Sequence, residues 1–398
     1  MADRSAGARR TVLCLVALAW CVVGCAPPPA PGPALGPIER VSLDADGRQI
    51  PTGALVSAMS SDGRWILFQA GGDLVAGPDE LNESNAYLRD RTTGEVVWVH
   101  DPSVDPSGQD VTRVHLLNRT ATRAVVEGDG LDGSGRRGVF LFDVPSSTFQ
   151  YMGPMPNLLF GFSSQMSDIS ADGRFVVGTD GFVAESLRTF DAQSGTWTDV
   201  FTQALEPGRV SVVEAPKFVG DTTRVVFGVD NAGPTLWTVE ADGTSLEQIA
   251  ADLGPAPVYS ARPLAAGATC VLLFIQGATY YDQRLVDLGT GQGRPVGRRS
   301  YVRTGSGVRT AFNDFQAVDV ADNCRDVLGE SYVWGRPVLV DVQLGTMSEA
   351  FPMLYDPGMS LRPLQISDDA ATLVVSTSKP LVADDTNEQV DVFARRRD

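Results

Sequence analysis

A short motif that recurs along the chain constrains the fold more than any other feature of this sequence. Residues 60–68 and 170–178 both begin with serine and continue through Asp-Gly-Arg into a mostly apolar run. Asp-Gly between apolar segments is a strong hairpin signal, because glycine tolerates the positive φ of the tight turn. Five degenerate copies lie at residues 118–126, 220–227, 265–274, 321–329 and 367–375. The chain is therefore expected to consist of repeated hairpins.

A second landmark, an apolar strand that ends in an acidic residue, follows each of the first six copies. These acidic residues are 47 to 54 positions apart: Asp90, Asp143, Asp191, Glu240, Asp287 and Asp341. A unit of about 50 residues with two hairpins supplies four short strands, which make one blade of a β-propeller. Seven copies predict an all-β fold, a seven-bladed β-propeller. Six or eight blades remain alternatives, because the copies at 118–126 and 265–274 are poor.

The two ends of the repeat region complement each other. The seventh unit stops one strand short of a blade, after residues 390–395, and residues 39–47 alternate like an outer strand without a hairpin partner. Pairing these two segments removes two unpaired strand edges, which would otherwise invite aggregation. We therefore predict that an N-terminal strand pairs with the last blade and closes the ring.

The first residues have the features of an export signal. Three arginines precede a short apolar stretch, residues 12–23, that ends at Gly24-Cys25. This stretch is too short for a permanent membrane span, which needs about 20 residues. Its end resembles a bacterial lipobox, which implies cleavage before Cys25 and lipidation of that cysteine. The alternatives are an ordinary secretory signal and a cytosolic protein with an apolar start.

A proline-rich spacer, residues 26–37, follows the cysteine and is too rich in proline to pack a core. The expected organisation is a signal peptide over 1–24, a lipidated cysteine and tether over 25–37, and the propeller over 38–398. Ala26, rather than aspartate, follows the cysteine. In Gram-negative bacteria, the lipobox resemblance then implies an outer-membrane lipoprotein that faces the periplasm or the surface.

The net charge limits the partners. Acidic residues outnumber basic ones 49 to 32, which gives a net charge of −17. Because nucleic-acid binding needs a basic face, we expect no nucleic-acid partner. Anionic lipid head groups repel an acidic body as well, so the membrane is expected to be contacted only through the lipid anchor.

The first and last repeat units resemble the TolB-type, WD-repeat-like propeller repeats of exported bacterial proteins. The first unit has Asp62-Gly63-Arg64, and later Tyr87-Leu88-Arg89-Asp90. The last unit shows the pattern as Ser367-Asp368-Asp369, Leu373-Val374-Val375, Leu381-Val382, an acidic loop with Asn387, and Asp391-Val392-Phe393. The resemblance implies the propeller fold and leaves the function open, because propellers serve many functions.

Few residues suit catalysis. His100 and His115 are the only histidines, too few for the three or four ligands of a zinc site. No G-x-S-x-G nucleophile motif occurs, and no phosphate-binding glycine motif stands between a strand and a helix.

Carboxylates are the remaining catalytic candidates. Propeller glycosidases place paired acids at the central channel, and acids near the inner-strand turns here are Asp168, Asp172, Asp221, Asp319, Asp322, Asp368 and Asp369. Turn formation explains repeated acids equally well, since aspartate stabilises such turns.

Two further groups of residues suggest sites. Asp384, Asp385, Asn387 and Asp391 offer enough oxygen ligands for Ca²⁺, although a solvated loop held by its own Asx turns explains the same residues. Outside the signal and Cys25, the remaining cysteines are Cys270 and Cys324. In an oxidising compartment we expect these two to form a disulfide between neighbouring blades, with two buried free thiols as the alternative.

The leading functional hypothesis is a membrane-anchored, non-enzymatic propeller of the bacterial cell envelope. We expect it to be a monomer without a cofactor that binds or scaffolds a protein, peptide or glycan, because rigid discs present clustered loops for recognition. The rival hypothesis is a glycoside hydrolase or lyase that uses channel carboxylates. A purely structural envelope component is the third possibility.

Overall fold

Seven antiparallel sheets form a ring, as the repeat predicts. The computed structural model describes residues 35–397 with the exception of 73, 76–83, 105–109, 155–165, 180–185, 203–211, 231–232, 255–257, 278–279, 305–306, 313–314, 332–335 and 353–363. Every regular element in the described part is a β-strand. Residues 33–398 make one compact unit.

Each sheet is one blade, and its strands are named a to d from the channel outward. Blade 1 contains β2 (Ala54–Met59), β3 (Trp65–Gly71), β4 (Ser84–Asp90) and β5 (Val96–Trp98). Blade 2 contains β6 (Asp110–Leu117), β7 (Arg123–Asp129), β8 (Arg137–Asp143) and β9 (Thr148–Pro154). Blade 3 contains β10 (Met166–Ile169), β11 (Phe175–Thr179), β12 (Ser186–Asp191) and β13 (Thr196–Thr202). Blade 4 contains β14 (Val212–Phe218), β15 (Arg224–Asp230), β16 (Pro234–Glu240) and β17 (Glu247–Ile249).

The remaining blades depart from this plan in two places. Blade 5 has a fifth strand and contains β18 (Val258–Ala266), β19 (Cys270–Gly277), β20 (Tyr280–Asp287), β21 (Gly293–Thr304) and β22 (Gly307–Phe312). Blade 6 contains β23 (Phe315–Val320), β24 (Asp326–Ser331), β25 (Arg336–Asp341) and β26 (Thr346–Glu349). Blade 7 combines both ends of the repeat region: β27 (Leu364–Ile366), β28 (Thr372–Thr377), β29 (Asp391–Arg397) and β1 (Leu35–Arg40).

The predicted closure is confirmed, with a shift in the position of the N-terminal strand. β1 pairs antiparallel with β29, so that Ile38 lies opposite Arg395 and Arg40 opposite Phe393. The strand begins at Leu35, inside the segment that the sequence assigns to the spacer. Pro37 is tolerated because β1 is an outermost strand, whose outer side needs no ladder hydrogen bonds.

The turn between strands a and b shows why the motif folds as it does. In blade 1, Gly63 N donates to Ser60 O at 2.9 Å, while Asp62 Oδ1 accepts from Ser60 Oγ at 2.6 Å and from Arg64 N at 3.0 Å. Gly63 has φ +66°, and a Cβ there would lie 2.4 Å from Thr372 of blade 7. The motif glycine therefore serves both the turn and the contact between blades.

The hydrophobic core lies between the blades rather than within them. Each of the seven clusters of buried apolar residues combines side chains from two neighbouring blades. One cluster, for example, packs Phe393 of blade 7 with Leu328 of blade 6. A blade cannot bury its faces alone, so every blade depends on both neighbours.

The two faces of the ring differ in their connections. The a–b and c–d turns lie on one face, which we call the turn face. Each a–b turn begins at a residue whose backbone N–H donates across the turn to the start of strand b, for example Ser60 N to Trp65 O. The b–c and d–a connections lie on the other, which we call the loop face, and reach lengths such as residues 155–165 and 350–363. Since strand a runs from the loop face to the turn face, a residue's place along it gives its depth in the channel.

Candidate functional site

The innermost strands of the seven blades surround a central channel with a cavity of about 470 Å³. Seven of its lining residues, each two positions before the first residue of its a–b turn, form what we call the middle ring: Ala58, Leu116, Asp168, Lys217, Ala265, Asp319 and Gln365. In six of the seven strands the pairing register shifts just before this position. A bulge re-aims the following side chain, which explains why these residues line the channel.

The two carboxylates of the middle ring also join neighbouring blades. Asp168 accepts a hydrogen bond from Phe218 N of blade 4 at 2.8 Å and one from Ile169 N at 2.9 Å. Asp319 repeats the arrangement, accepting from Ile366 N of blade 7 at 3.1 Å and from Val320 N at 2.9 Å. Both oxygens of each carboxylate therefore bind the backbone.

Lys217 supplies the positive charge of the middle ring. Its Nζ donates to Ser167 O of blade 3 at 2.7 Å, so the side chain crosses a blade boundary. Its charge lowers the pKa of both Asp168 and Asp319. Burial in the channel outweighs this effect: it raises the pKa of Asp168, and it raises the pKa of Asp319 to about 6.

Arg119 occupies the turn-face end of the channel and binds acids from three other blades. This blade-2 side chain forms ion pairs with Asp322 of blade 6, with Asp368 of blade 7 at 3.0 Å and with Asp221 of blade 4 at 3.2 Å. Only a side chain near the ring axis can reach blades 4, 6 and 7 together. Burial lowers the pKa of Arg119, but the three acids outweigh burial, so the pKa of Arg119 is raised above its ordinary value.

Asp368 is the most perturbed of these acids. Burial raises its pKa to about 7, with further increases from the charges of Asp322, Asp319 and Asp221 and a decrease from Arg119. The turn-face end thus holds three acids around one guanidinium, and proton uptake by Asp368 relieves the excess negative charge.

Polar and aromatic groups line the channel from the middle ring toward the loop face. His115 Nε2 lies 2.9 Å from Glu127 Oε1, and the Arg262 guanidinium lies 4.9 Å from the ring centre of Phe274. Gln365 Nε2 donates to Ser57 O of blade 1 at 2.9 Å, while its Oε1 is buried and has no hydrogen-bond partner among the described residues. Gln365 is one of the residues that line the channel cavity.

The seven acids that the sequence proposes as catalytic candidates fall into two groups in the structure. Asp168, Asp319 and Asp368 line the channel, and Asp221 and Asp322 reach it through Arg119. Asp172 and Asp369 instead accept from Ser170 Oγ and Ser367 Oγ in their own turns, at 2.7 and 2.6 Å.

Sequence reasoning missed the channel cations Arg119, Lys217 and Arg262. Lys217 could have been found, because it is one of only two lysines and occupies the same repeat position as Asp168 and Asp319.

The other sequence-proposed sites lie away from the channel. Cys270 and Cys324 form a disulfide between blades 5 and 6. Cys25 lies outside the described residues, as do the predicted signal peptide and most of the predicted tether. No helix in the described part of the chain is long and apolar enough to cross a membrane.

The four calcium candidates are engaged with other protein groups, and two of them lie beside the buried Arg40. Arg40 Nη2 lies 3.6 Å from Asp385 Oδ1 and 3.7 Å from Asp384 Oδ1, and the Asp384 side chain is 79% exposed. Asp391 accepts from Ser42 Oγ at 2.5 Å, and Asn387 Nδ2 donates to Ile50 O at 2.7 Å. Across the described residues, no three or more His, Cys, Asp or Glu side chains are grouped so that they could hold a metal ion.

Comparison with known proteins identifies the fold alone. No protein-family model and no curated protein matches the chain. An oligogalacturonate lyase solved in complex with manganese is similar over 92% of this chain and 98% of its own, with a TM-score of 0.52 and 11% identity. The oligogalacturonate lyase of Vibrio parahaemolyticus is similar over 90% of this chain and 93% of its own, with a TM-score of 0.54 and 10% identity.

A third similar structure is the propeller domain of the trilobed protease from Pyrococcus furiosus, which is described as having an open velcro topology. It matches 86% of this chain and 95% of its own, with a TM-score of 0.51 and 10% identity. At such identities the likeness establishes a β-propeller. The present ring differs in being closed by the β1–β29 pair.

Proposed function

We propose that this protein is a non-enzymatic binding propeller of the bacterial cell envelope, anchored by a lipid on Cys25. It recognises a protein, peptide or glycan through the loop face, which carries the longest connections of the ring. The chain functions as a monomer, because one ring supplies the complete channel.

The bonding of the middle-ring carboxylates is the observation that carries this proposal. A catalytic acid or base must exchange a proton with the substrate within hydrogen-bond distance. Asp168 and Asp319 instead use both oxygens to hold Phe218 N and Ile366 N of the next blade, together with the backbone of their own strands. Their arrangement favours a role in fixing the ring over a role in turnover.

The exposed apolar residues near the channel support recognition by the loop face. Leu55 and Tyr259 stand near the loop-face ends of two innermost strands and are 50% and 53% exposed. Large exposed apolar side chains beside a polar opening are typical of binding surfaces. The longest connections of the ring lie on the same face.

A lyase or hydrolase is the second candidate, favoured by one observation. Asp319 and Asp368 have pKa values raised to about 6 and about 7, in the range that suits general acid catalysis near neutral pH. Two similar structures are oligogalacturonate lyases. Incubation of the purified protein with neutral and acidic oligosaccharides tests this candidate: product formation that is lost in Asp319→Asn would establish an enzyme and overturn the binding proposal.

Photo-crosslinking in the intact envelope tests the recognition face. A photoreactive residue at Tyr259 reports on the loop face, and one at Leu344, which is 64% exposed on a c–d turn, is the matched control on the turn face. We expect a discrete crosslinked partner from position 259 and none from position 344. Crosslinking from 344 alone, or from neither position, contradicts the proposal.

The proposed anchor has its own test. Mass spectrometry of the mature N-terminal peptide is expected to show a diacylglycerol on Cys25, and Cys25→Ser is expected to move the protein out of the membrane fraction. An unmodified Cys25 in membrane-bound protein would refute the anchor while leaving the binding proposal intact.

A further inference from the structure

Lys217 is the residue of the middle ring that carries a positive charge. Its ammonium group has three N–H donors, and among the described residues it uses one of them, to Ser167 O at 2.7 Å. The side chain is half-buried and lines the channel cavity. Two donors of a charged group therefore remain for water or a ligand inside the channel.

Arg262 adds a second cation to the same cavity, nearer the loop face. It lies on β18 of blade 5, where Arg262 pairs with Phe274 and the middle-ring residue Ala265 pairs with Leu272, two ladder positions further on. Two positions correspond to about 7 Å along the channel at ~3.3 Å per residue. Among the described residues, the interaction of the Arg262 guanidinium is with the ring of Phe274, so its N–H donors have no acceptor there.

The two carboxylates of the middle ring do not occupy these cations. Each oxygen of Asp168 and of Asp319 already accepts a hydrogen bond from a backbone N–H. Within the described part of the chain, neither carboxylate forms an ion pair with Lys217 or Arg262. The unused donors of the cavity therefore belong to cations, and such donors bind most strongly to a ligand that brings its own anionic group.

The remaining lining of the cavity favours an aliphatic ligand group over a sugar. Four apolar residues of blades 1 and 2 form one wall: Ala58, Met59, Leu116 and Leu117. The phenyl rings of the lining are already engaged, because Phe218 is 4% exposed and the Arg262 guanidinium lies over Phe274. An aliphatic side chain can be buried against the wall of blades 1 and 2, whereas stacking on a sugar needs an accessible aromatic face.

We propose that the channel binds the C-terminal end of a peptide, with the terminal carboxylate at Lys217 and Arg262 and an aliphatic last side chain against the wall of blades 1 and 2. Capture of a terminal carboxylate is a recurring mode of peptide recognition. The cavity volume of about 470 Å³ is in the range of sites for small ligands, and it suits the last few residues of a chain. The inference rests on the proposed binding function and selects one of its ligand classes.

Lysine labelling tests the site in the wild-type chain, because Lys217 and Lys379 are the only lysines. Lys379 is exposed and does not line the cavity, so it is the internal control. The detergent-solubilised full-length protein is acetylated with and without the peptide N-acetyl-Ala-Ala-Leu, and mass spectrometry follows each lysine. At a peptide concentration about ten times its Kd, we expect labelling of Lys217 to slow about tenfold. The C-terminal amide of the same peptide should protect Lys217 little, and Lys379 should react equally in all samples.

Two substitutions test the contacts with the carboxylate. Lys217→Met and Arg262→Gln each remove one charge from the cavity, and each should lower the affinity for the free-acid peptide by roughly tenfold or more. Isothermal titration calorimetry measures the affinity. The matched controls Lys379→Met and Arg48→Gln remove the same charges from exposed side chains and should bind like the wild type.

Four other outcomes overturn the inference. These are unchanged labelling of Lys217 with the free-acid peptide, equal protection by the amide, stronger protection by trigalacturonate, and equal losses of affinity in the control variants. If Lys217→Met does not fold, the labelling of the wild-type chain and the Arg262→Gln variant decide. A partner crosslinked from Tyr259 without peptide protection of Lys217 would retain the proposed function and reject this inference.

Discussion

The two ends of the channel are built in opposite ways. At the turn-face end, Arg119 forms ion pairs with three acids from blades 4, 6 and 7, so the charged groups link four blades. In the middle ring, Gln365 keeps a buried acceptor without a described partner, and nearer the loop face Arg262 lies beside an aromatic ring. The turn-face end of the channel therefore holds the ring together, and under the proposed function the other end contacts the ligand.

Among the changes considered for the two ends of the channel, removal of Arg119 should cause the largest loss of stability. Arg119→Ala leaves three acids facing one another around the axis, and we expect a loss of about 2–4 kcal/mol in the free energy of unfolding. Denaturant unfolding measures it. Arg48→Ala, which removes an arginine whose side chain is 75% exposed, is the control and should change stability little. Equal effects of the two variants would show that Arg119 does not hold the ring.

The Arg119 cluster also shows where sequence reasoning stops. The a–b turns were predictable because their hydrogen bonds link residues within a few positions, as between Ser60 and Asp62. Blade number and ring closure followed from counting these turns. Arg119 instead contacts residues 102 and 203 positions away, and no local pattern reports such contacts. The start of β1 was misplaced because Pro37 argued against a strand, although an outermost strand accepts it.

The turns at the turn-face end provide the next test. Gly63→Ala places a Cβ 2.4 Å from Thr372 at a position with φ +66°, so both the turn and the blade contact are strained. We expect a loss of roughly 2–3 kcal/mol. Gly47→Ala is the matched control, because φ there is +77° but no atom lies within 4 Å of the added Cβ. If the two variants lose equal stability, contact between blades at Gly63 contributes nothing.

The acids of the channel should make the ring more stable in mild acid. The pKa values of Asp319 and Asp368 are raised to about 6 and about 7, so the folded state holds these protons more tightly than the unfolded state. The stabilisation from these protons is therefore present in acid, and it is lost as pH rises from about 4 to about 7, where Asp319 and Asp368 ionise in the folded state. Between pH 8 and pH 5.5 we expect a gain of roughly 1–2 kcal/mol, seen as a higher thermal midpoint.

The variant Asp368→Asn removes one of these titrations and serves as the control. Its thermal midpoint should vary less with pH than that of the wild type. A wild-type midpoint that falls steadily from pH 8 to pH 5.5 would contradict the charge arrangement at the turn-face end.

The smallest stability effect is expected at Gln365 of the middle ring. Gln365→Met removes the hydrogen bond to Ser57 O together with the unpaired Oε1, and these losses largely offset each other. We expect a change of about 1 kcal/mol or less in the free energy of unfolding. Crosslinking of the partner from position 259 should nevertheless decrease. A large loss of stability with unchanged crosslinking would make Gln365 a structural residue like Arg119.

Both ends of the channel depend on one closed ring, and thermal unfolding of two truncated chains tests that closure directly. A chain that starts at residue 35 retains β1, whereas a chain that starts at residue 41 lacks it and leaves β29 as an unpaired edge. We expect the first to unfold like the full-length protein, and the second to unfold at least about 10 °C lower or without cooperativity. Equal midpoints for the two chains would contradict the closed ring.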